Sequence, residues 1–503
     1  MVTPSVWSAA AVFFTVGAAT AIATKDAAAS PIEIGTRLEL FIDSHLIDRL
    51  EGTRLKLHEP RPAGSALTRR DPWDGNYFDY GTILHDQDLY RMYYRSCVAV
   101  LGTDDWIELI CYAESRDGVA WSKPDLGLHD FGGSKHNNII LRKDDGTGAI
   151  HNFAPFLDTR PGVPKKERYK AIGGAWPKGL FVLVSEDGIR WRKWRDEAVF
   201  KRGAFDSQNV LFWSEAENCY VLYFRTFSGV NEHDPNNWMS QGYRTVSKTT
   251  SPDLINWSEP KRMSFGPGLL EHFYTNQTHP YFRAPHIYVG MAMRYMPGRR
   301  FLSNEQFSAL GVEPAYLKGG DVPGSVSDTV FFTSRGGYRY DRTFMEAFIR
   351  PGPNPGNWVV RNGVATRGIV RTGPAEMSVY VGQDYGQPTA HLERFVLRLD
   401  GFASVHASAT SGEMVTKPLI VGGSKLIINA ATSAAGSIRI ELQETDGEPI
   451  PGYSLAESEE FVGDGIEHGV SWKMGADMEK LQGQAVRVRF VMRDADVYSM
   501  RFR

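Results

Sequence analysis

A short stretch that returns along the chain limits the folds open to it more than any other feature. Ser115-Arg-Asp-Gly-Val-Ala-Trp121 reappears as Ser185-Glu-Asp-Gly-Ile-Arg-Trp191, then as Ser251-Pro-Asp-Leu-Ile-Asn-Trp257, and in loosened form as Ser334-Arg-Gly-Gly-Tyr-Arg-Tyr340. Each copy reads as a strand ending in Ser, a tight Asp-Gly hairpin, and an aromatic that packs between neighbouring sheets. Upstream of each copy lies a second hairpin, whose return strand is Leu89–Arg95, Arg168–Ile172, Tyr220–Arg225 or Ile287–Arg294. Two hairpins per unit make a four-stranded propeller blade of roughly 65 to 85 residues. Period-two apolar runs recur everywhere and helical periodicity is nearly absent, so the chain is all-β.

A fifth unit begins at Glu376-Met-Ser-Val-Tyr-Val and pairs with Leu392–Arg398, without an Asp-Gly hairpin of its own. The early run Leu38–Asp43 is available as its missing strand, which closes the ring and leaves no exposed sheet edge. After Asp400-Gly401 the strands change character, as in Lys425–Asn429, Ser437–Leu442 and Val486–Val491, and predict a separate β-sandwich. The expected architecture is a five-bladed β-propeller over residues 36–402, followed by a β-sandwich over 403–503.

Residues 1–29 hold an apolar run from Ala9 to Ala23 followed by small-residue cleavage sites, which reads as a signal peptide. The mature protein is then periplasmic or secreted, with no membrane association after cleavage. Three cysteines are too few and too odd in number for a disulfide framework, and their apolar surroundings read as buried sites. Lys plus Arg total 56 against 59 Asp plus Glu, so no basic field draws the chain to nucleic acid. Binding must come from local sites.

In a propeller the first strand of each blade lines the central channel, and the second returns to the face where the first began. Starts of first strands and ends of second strands therefore share one rim. The starts are Asp79, His151-Asn152, Asp206, Tyr274 with Asn276, and Glu376; the ends bring Arg95, Arg225 and Arg294. Carboxylates and arginines in a confined pit suit glycosidic cleavage, with one carboxyl protonating the leaving oxygen and another attacking or activating water. Asp79, Asp206 and Glu376 are the expected catalytic residues. Arg95, His151, Asn152, Arg225, Tyr274, Asn276 and Arg294 are expected to bind substrate. No Cys/His spacing resembles a metal site and no dinucleotide or nucleophile-elbow motif is present, so neither metal nor cofactor is expected. Asp74, Glu271 and Asp328 read as structural acids.

The Ser-x-Asp-Gly-x-x-Trp hairpins, the Phe205-Asp-Ser-Gln-Asn-Val segment and the blade count resemble the five-bladed propeller glycosidases, the group of invertases, levansucrases, arabinanases and xylosidases. The likeness covers roughly residues 36–400, and the C-terminal region resembles the second domain of the invertase branch. It implies a glycoside hydrolase acting on an oligo- or polysaccharide. Asp79 would be nucleophile or base, Asp206 would orient substrate, and Glu376 would be the acid. Family enzymes draw their three acids from consecutive blades, whereas these fall in blades one, three and five, so the chain resembles a distinct branch. Two other readings stand beside it. One is a sialidase-like hydrolase of anionic sugars, since the repeat echoes an Asp-box; the other is a non-catalytic carbohydrate-binding propeller.

Overall fold

The computed structural model describes residues 30–99, 106–229, 242–268, 270–312, 325–359, 361–473 and 478–503. The signal peptide expected over 1–29 lies outside them. Among the described residues no helix is long and apolar enough to cross a membrane. The chain forms a five-bladed β-propeller joined to a β-sandwich.

Blade one comprises Asp79–Asp86, Leu89–Ala99, Trp106–Ser115 and Ile139–Arg142, each antiparallel to the next. Blade two is Ala154–Leu157, Tyr169–Ala175, Gly179–Ser185 and Arg192–Lys193, and blade three is Val210–Ser214, Cys219–Phe227, Arg244–Ser251 and Lys261–Arg262. In blade four His272–Phe273 and His279–Tyr281 both pair with Ala284–Pro297, followed by Ser325–Ser334 and Ala347–Ile349. Blade five runs Val370–Arg371, Glu376–Gln383, His391–Arg398, and is completed by Arg61–Thr68 from the N-terminal side. The ring is therefore closed by an early strand, as expected, but by Arg61–Thr68 and not by Leu38–Asp43. The innermost strand of blade five is also one strand earlier than expected, which moves Glu376 to the start of the second strand.

The repeated hairpin works as a staple between blades. Gly118 N and Gly188 N donate to the Oγ of Ser115 and Ser185, both at 2.9 Å, and Asp117 Oδ1 and Asp187 Oδ1 each accept two further backbone N–H groups. Blade three repeats the pattern with Ser251 and Asp253, where Leu254 holds the left-handed backbone (φ 69°) that glycine holds in the other two. The aromatic that follows reaches the preceding blade each time. Trp121 stands edge-on to Tyr380 of blade five at 5.6 Å, Trp191 to Tyr93 of blade one at 6.2 Å, and Trp257 lies 5.7 Å from Phe200 of blade two. Tyr93 and Tyr380 donate to the carbonyls of Gly188 and Gly118, joining the same pairs of blades by a hydrogen bond. Cys97 and Cys111 are buried and Cys219 is partly buried; all three are free thiols.

The sandwich is built on two long antiparallel strands, Leu426–Gln443 and Ala485–Phe502. Its other strands include Ala403–Ala407 and Gly412–Thr416, and these pair with Thr53–Leu57 and Ile47–Glu51. Residues 32–57 thus belong to the sandwich and not to the propeller. Phe41, Ile438, Ile440, Trp472, Phe490 and Met492 fill its interior. A second apolar cluster, with Leu38, Leu40, Phe331, Phe348 and Phe402, joins sandwich to blades four and five. Around it sits a polar latch in which Glu39 Oε1 lies 2.9 Å from His286 Nε2, and Arg335 Nη1 lies 2.6 Å from Glu39 Oε2. Arg335 also donates to Asp43 at 3.1 Å.

Candidate functional site

Five innermost strands converge on the axis, and a residue with left-handed backbone stands at the upper mouth of each blade. These are Tyr80 (φ 51°), Asn152 (59°), Phe205 (55°), Gln277 (50°) and Arg361 (66°). Non-glycine residues in this region carry strain of about 1 kcal/mol or more and persist where surrounding structure holds them.

On one side of the pit Asp79, only 2% exposed, faces Arg95 Nη1 at 3.5 Å and accepts from the Tyr385 hydroxyl at 3.2 Å. Arg95 Nε donates to Glu108 at 2.6 Å, and Glu108 lies 3.1 Å from His151 Nδ1. Burial alone would raise the Glu108 pKa, but the charge of Arg95 and the hydrogen bond from His151 override it and hold it at about 2. Glu108 is therefore an ionised anchor that fixes the ring of His151, leaving Nε2 as the nitrogen that can exchange a proton.

Across the pit Asp206 Oδ2 lies 2.7 Å from Arg225 Nη1. Asp206 keeps 39% of its side chain exposed while the arginine is 2% exposed. Arg225 donates to the Tyr274 carbonyl and lies over its ring at 4.2 Å. Arg244 and Arg361 face the same ring at 5.5 and 5.4 Å, and Arg361 also donates to Tyr385 at 3.5 Å. Tyr80 sits between the two sides. Burial pushes its hydroxyl pKa well up, the charges of Tyr274 and Asp79 add to this, and Arg225 and Arg361 oppose it.

The structure thus brings Asp79, Arg95, His151, Asp206, Arg225 and Tyr274 to one mouth. Asn152 and Asn276 lie at the same level but serve the backbone: Asn152 donates to the Phe205 carbonyl at 3.1 Å, and Asn276 accepts from Thr278 N at 3.0 Å. Arg294 is taken up by Asp328 at 2.9 and 2.6 Å and by Glu271 at 2.8 Å, and Glu271 is shared with Arg342. It is a structural arginine, and these acids are structural too. Asp74 is likewise buried, bound by Lys123 and Tyr94.

Glu376 stands apart. Because the second strand of a blade begins on the face where the first ends, it lies at the opposite face of the ring from Asp79 and Asp206. There it is 40% exposed and bound by Arg394 at 3.1 Å and Thr372 at 2.9 Å. Among the described residues, those of the pit that strand-start reasoning missed include Tyr80, Glu108, Arg244, Arg361 and Tyr385. Glu108 follows from register alone, since it pairs with Cys97, two residues beyond Arg95.

Beneath the pit two buried glutamines cross the axis. Gln208 donates to the Tyr80 carbonyl at 2.7 Å; Gln277 donates to Gln208 at 2.7 Å and to the Ala365 carbonyl at 2.9 Å. No group of three or more His, Cys, Asp or Glu side chains among the described residues is placed to hold a metal ion.

No family model matches the chain. Two uncharacterized proteins of Mycobacterium tuberculosis, Rv1502 and MT1551, are each 32% identical over 136 residues, which is 27% of this chain and 39% of theirs. The chain thus spans about two fifths of the curated relatives it matches. Among solved structures, BT0996 in its RGII complex is 14% identical, covering 68% of this chain and 92% of that protein, with a TM-score of 0.44. An N-acetylgalactosamine deacetylase from F. plautii with blood group B trisaccharide is 13% identical over 70% of this chain and 97% of its own, TM-score 0.42. A fructofuranosidase from Schwanniomyces occidentalis complexed with fructosylnystose is 11% identical over 88% and 96%, TM-score 0.38.

Proposed function

We propose that the chain is a glycoside hydrolase that cleaves a glycosidic bond in the upper pit and takes an acidic or hydroxyl-rich sugar there. The observation that carries this reading is the convergence of Asp79, Glu108 and Asp206 with Arg95, Arg225, Arg244 and Arg361 at one mouth. Glycosidic cleavage needs an ionised carboxylate at the anomeric side and a group that passes a proton to the leaving oxygen. Asp79, enclosed by Arg95 and Tyr385, supplies the carboxylate. His151, held through Nδ1 by Glu108 and partly exposed, gives the leaving oxygen the Nε2 proton of its doubly protonated ring and takes a proton back from the water that completes hydrolysis. Asp206 reaches sugar hydroxyls from the facing blade and is held in place by Arg225. Glu376 has no part in this scheme. The ring has five blades, so the sialidase-like reading survives only in the arginine-rich lining, which favours a carboxylate or sulfate on the sugar. The leader expected over residues 1–29 places this activity outside the cytoplasm, and the sandwich contributes none of the pit side chains named here.

The test is release of reducing ends from a panel of neutral and uronate-containing oligosaccharides. On the substrate found, Asp79→Asn is expected to lower kcat between about a hundred- and ten-thousandfold, with substrate still bound. Arg225→Met is expected to raise KM about tenfold with kcat less affected, because Asp206 loses the partner that holds it toward the sugar hydroxyls. Binding of an oligosaccharide with no turnover by the unmodified chain establishes a carbohydrate-binding propeller instead.

A further inference from the structure

The axial channel has a second mouth, on the face opposite the pit, and its lining is chemically lopsided. A cavity of about 200 Å³ opens there between Ile83, Leu157, Phe282 and Ile369, with Arg367 and His279 as its buried polar groups and no carboxylate in its wall. Arg367 is 6% exposed and His279 7%. Arg367 comes from the innermost strand of blade five, hydrogen-bonded through its backbone to Gly81 and Ile83 of blade one, and its Nη1 crosses to the Pro155 carbonyl of blade two at 2.6 Å. Its Nε meets no partner, and it makes no ion pair among the described residues. Burial alone lowers its pKa to about 10, with no neighbouring charge offsetting that. A buried guanidinium without a counter-charge is costly to keep.

His279 adds a direction. Its Nδ1 donates to the Gln277 carbonyl at 2.7 Å, which leaves Nε2 as an acceptor in the neutral ring, and Nε2 has no partner. Burial, with the charge of Arg367 added, holds its pKa down to about 3, so at neutral pH the ring is uncharged. The cavity thus offers a cation for an anionic oxygen and, beside it, an acceptor for a hydroxyl.

We propose that this lower mouth binds one small oxyanion that carries a hydroxyl, either a hydroxy-carboxylate or hydrogen phosphate. The anionic oxygens meet Arg367 and the O–H donates to His279 Nε2. Ile83, Leu157 and Ile369 border both contacts with apolar surface, which strengthens them. The bridge of Gln208 and Gln277 separates this site from the pit, so it is a second site and not an extension of the first.

Titration calorimetry of the full chain at pH 7 with glycolate, acetate and inorganic phosphate tests this. Glycolate or phosphate is expected to bind in a Kd range of about 1 mM or tighter, and whichever binds more tightly identifies the source. Acetate, which lacks the hydroxyl, is expected to bind about tenfold more weakly than glycolate. Arg367→Met is expected to weaken binding by about tenfold or more. Should that variant not fold, His279→Leu decides the matter: it removes the acceptor and is expected to abolish the preference for glycolate while leaving acetate unchanged. Absence of binding by both hydroxyl-bearing probes, an unchanged affinity in Arg367→Met, or a retained preference in His279→Leu overturns the proposal. So does loss of binding in Arg225→Met, which locates the anion in the pit.

Discussion

Replacing Glu39 by Gln tests the latch between sandwich and propeller, and the structure gives both the size and the pH dependence of the effect. Glu39 is fully buried, 2.9 Å from His286 Nε2 and 2.6 Å from Arg335 Nη1. Burial raises its pKa, but the hydrogen bond from His286 and the charge of Arg335 outweigh that and lower it from 4.5 to about 2. A carboxylate with a depressed folded-state pKa stabilises the fold above its unfolded pKa and loses that contribution as pH falls through the folded one. A gap of about 2.5 units corresponds to about 3 kcal/mol at pH 7. The same linkage leaves about 2 kcal/mol at pH 3.5 and nothing well below pH 2. Urea unfolding of Glu39→Gln beside the unmodified chain is expected to show that penalty at pH 7, narrowing by about a third at pH 3.5. A penalty that is equal at both pH values, or below about 1 kcal/mol at pH 7, refutes the electrostatic account of the latch.

Glu376→Gln is expected to leave kcat and KM within about twofold of the unmodified enzyme, because Glu376 lies on the far face; a loss comparable with that of Asp79→Asn places it in the chemistry after all. Asp253→Ala removes the acceptor of two backbone N–H bonds that hold its pKa at about 2, and is expected to lower stability by about 1 to 2 kcal/mol in urea unfolding. An unchanged midpoint shows that the Ser251 hydroxyl alone maintains that hairpin.

The repeated hairpins made the ring legible because they carry local chemistry: a serine, an aspartate and a left-handed position that satisfy one another within a few residues. Blade five lacks that signature. Its innermost segment, Asn362-Gly-Val-Ala-Thr-Arg-Gly-Ile-Val370, is broken by two glycines and forms regular strand only at Val370–Arg371, so it reads as a loop. The next apolar run then passes for the first strand, and Glu376 inherits a rim position it does not hold. The same slip hides Arg361, which sits at the true start of blade five, and Tyr385, which follows the end of its second strand. Arg294 misleads for a different reason. It is at the right height, but neighbouring residues on a strand face opposite sides: Tyr295 faces Arg244 and Arg294 turns to Asp328 and Glu271.

The same hairpin geometry determines the shape of the pit. In blade one the second strand runs on to Ala99 and the third starts at Trp106, well beyond the level of Asp79, and this overshoot carries Glu108 above the mouth. Blades three and four also have long connections at this level, from Phe227 to Arg244 and from Pro297 to Ser325. Blade two differs, because its hairpin closes tightly with Ala175 opposite Gly179. His151 of blade two meets Glu108 of blade one across that overshoot, at 3.1 Å, so the carboxylate carried above the mouth by the long hairpin is tied to the blade whose own hairpin is short.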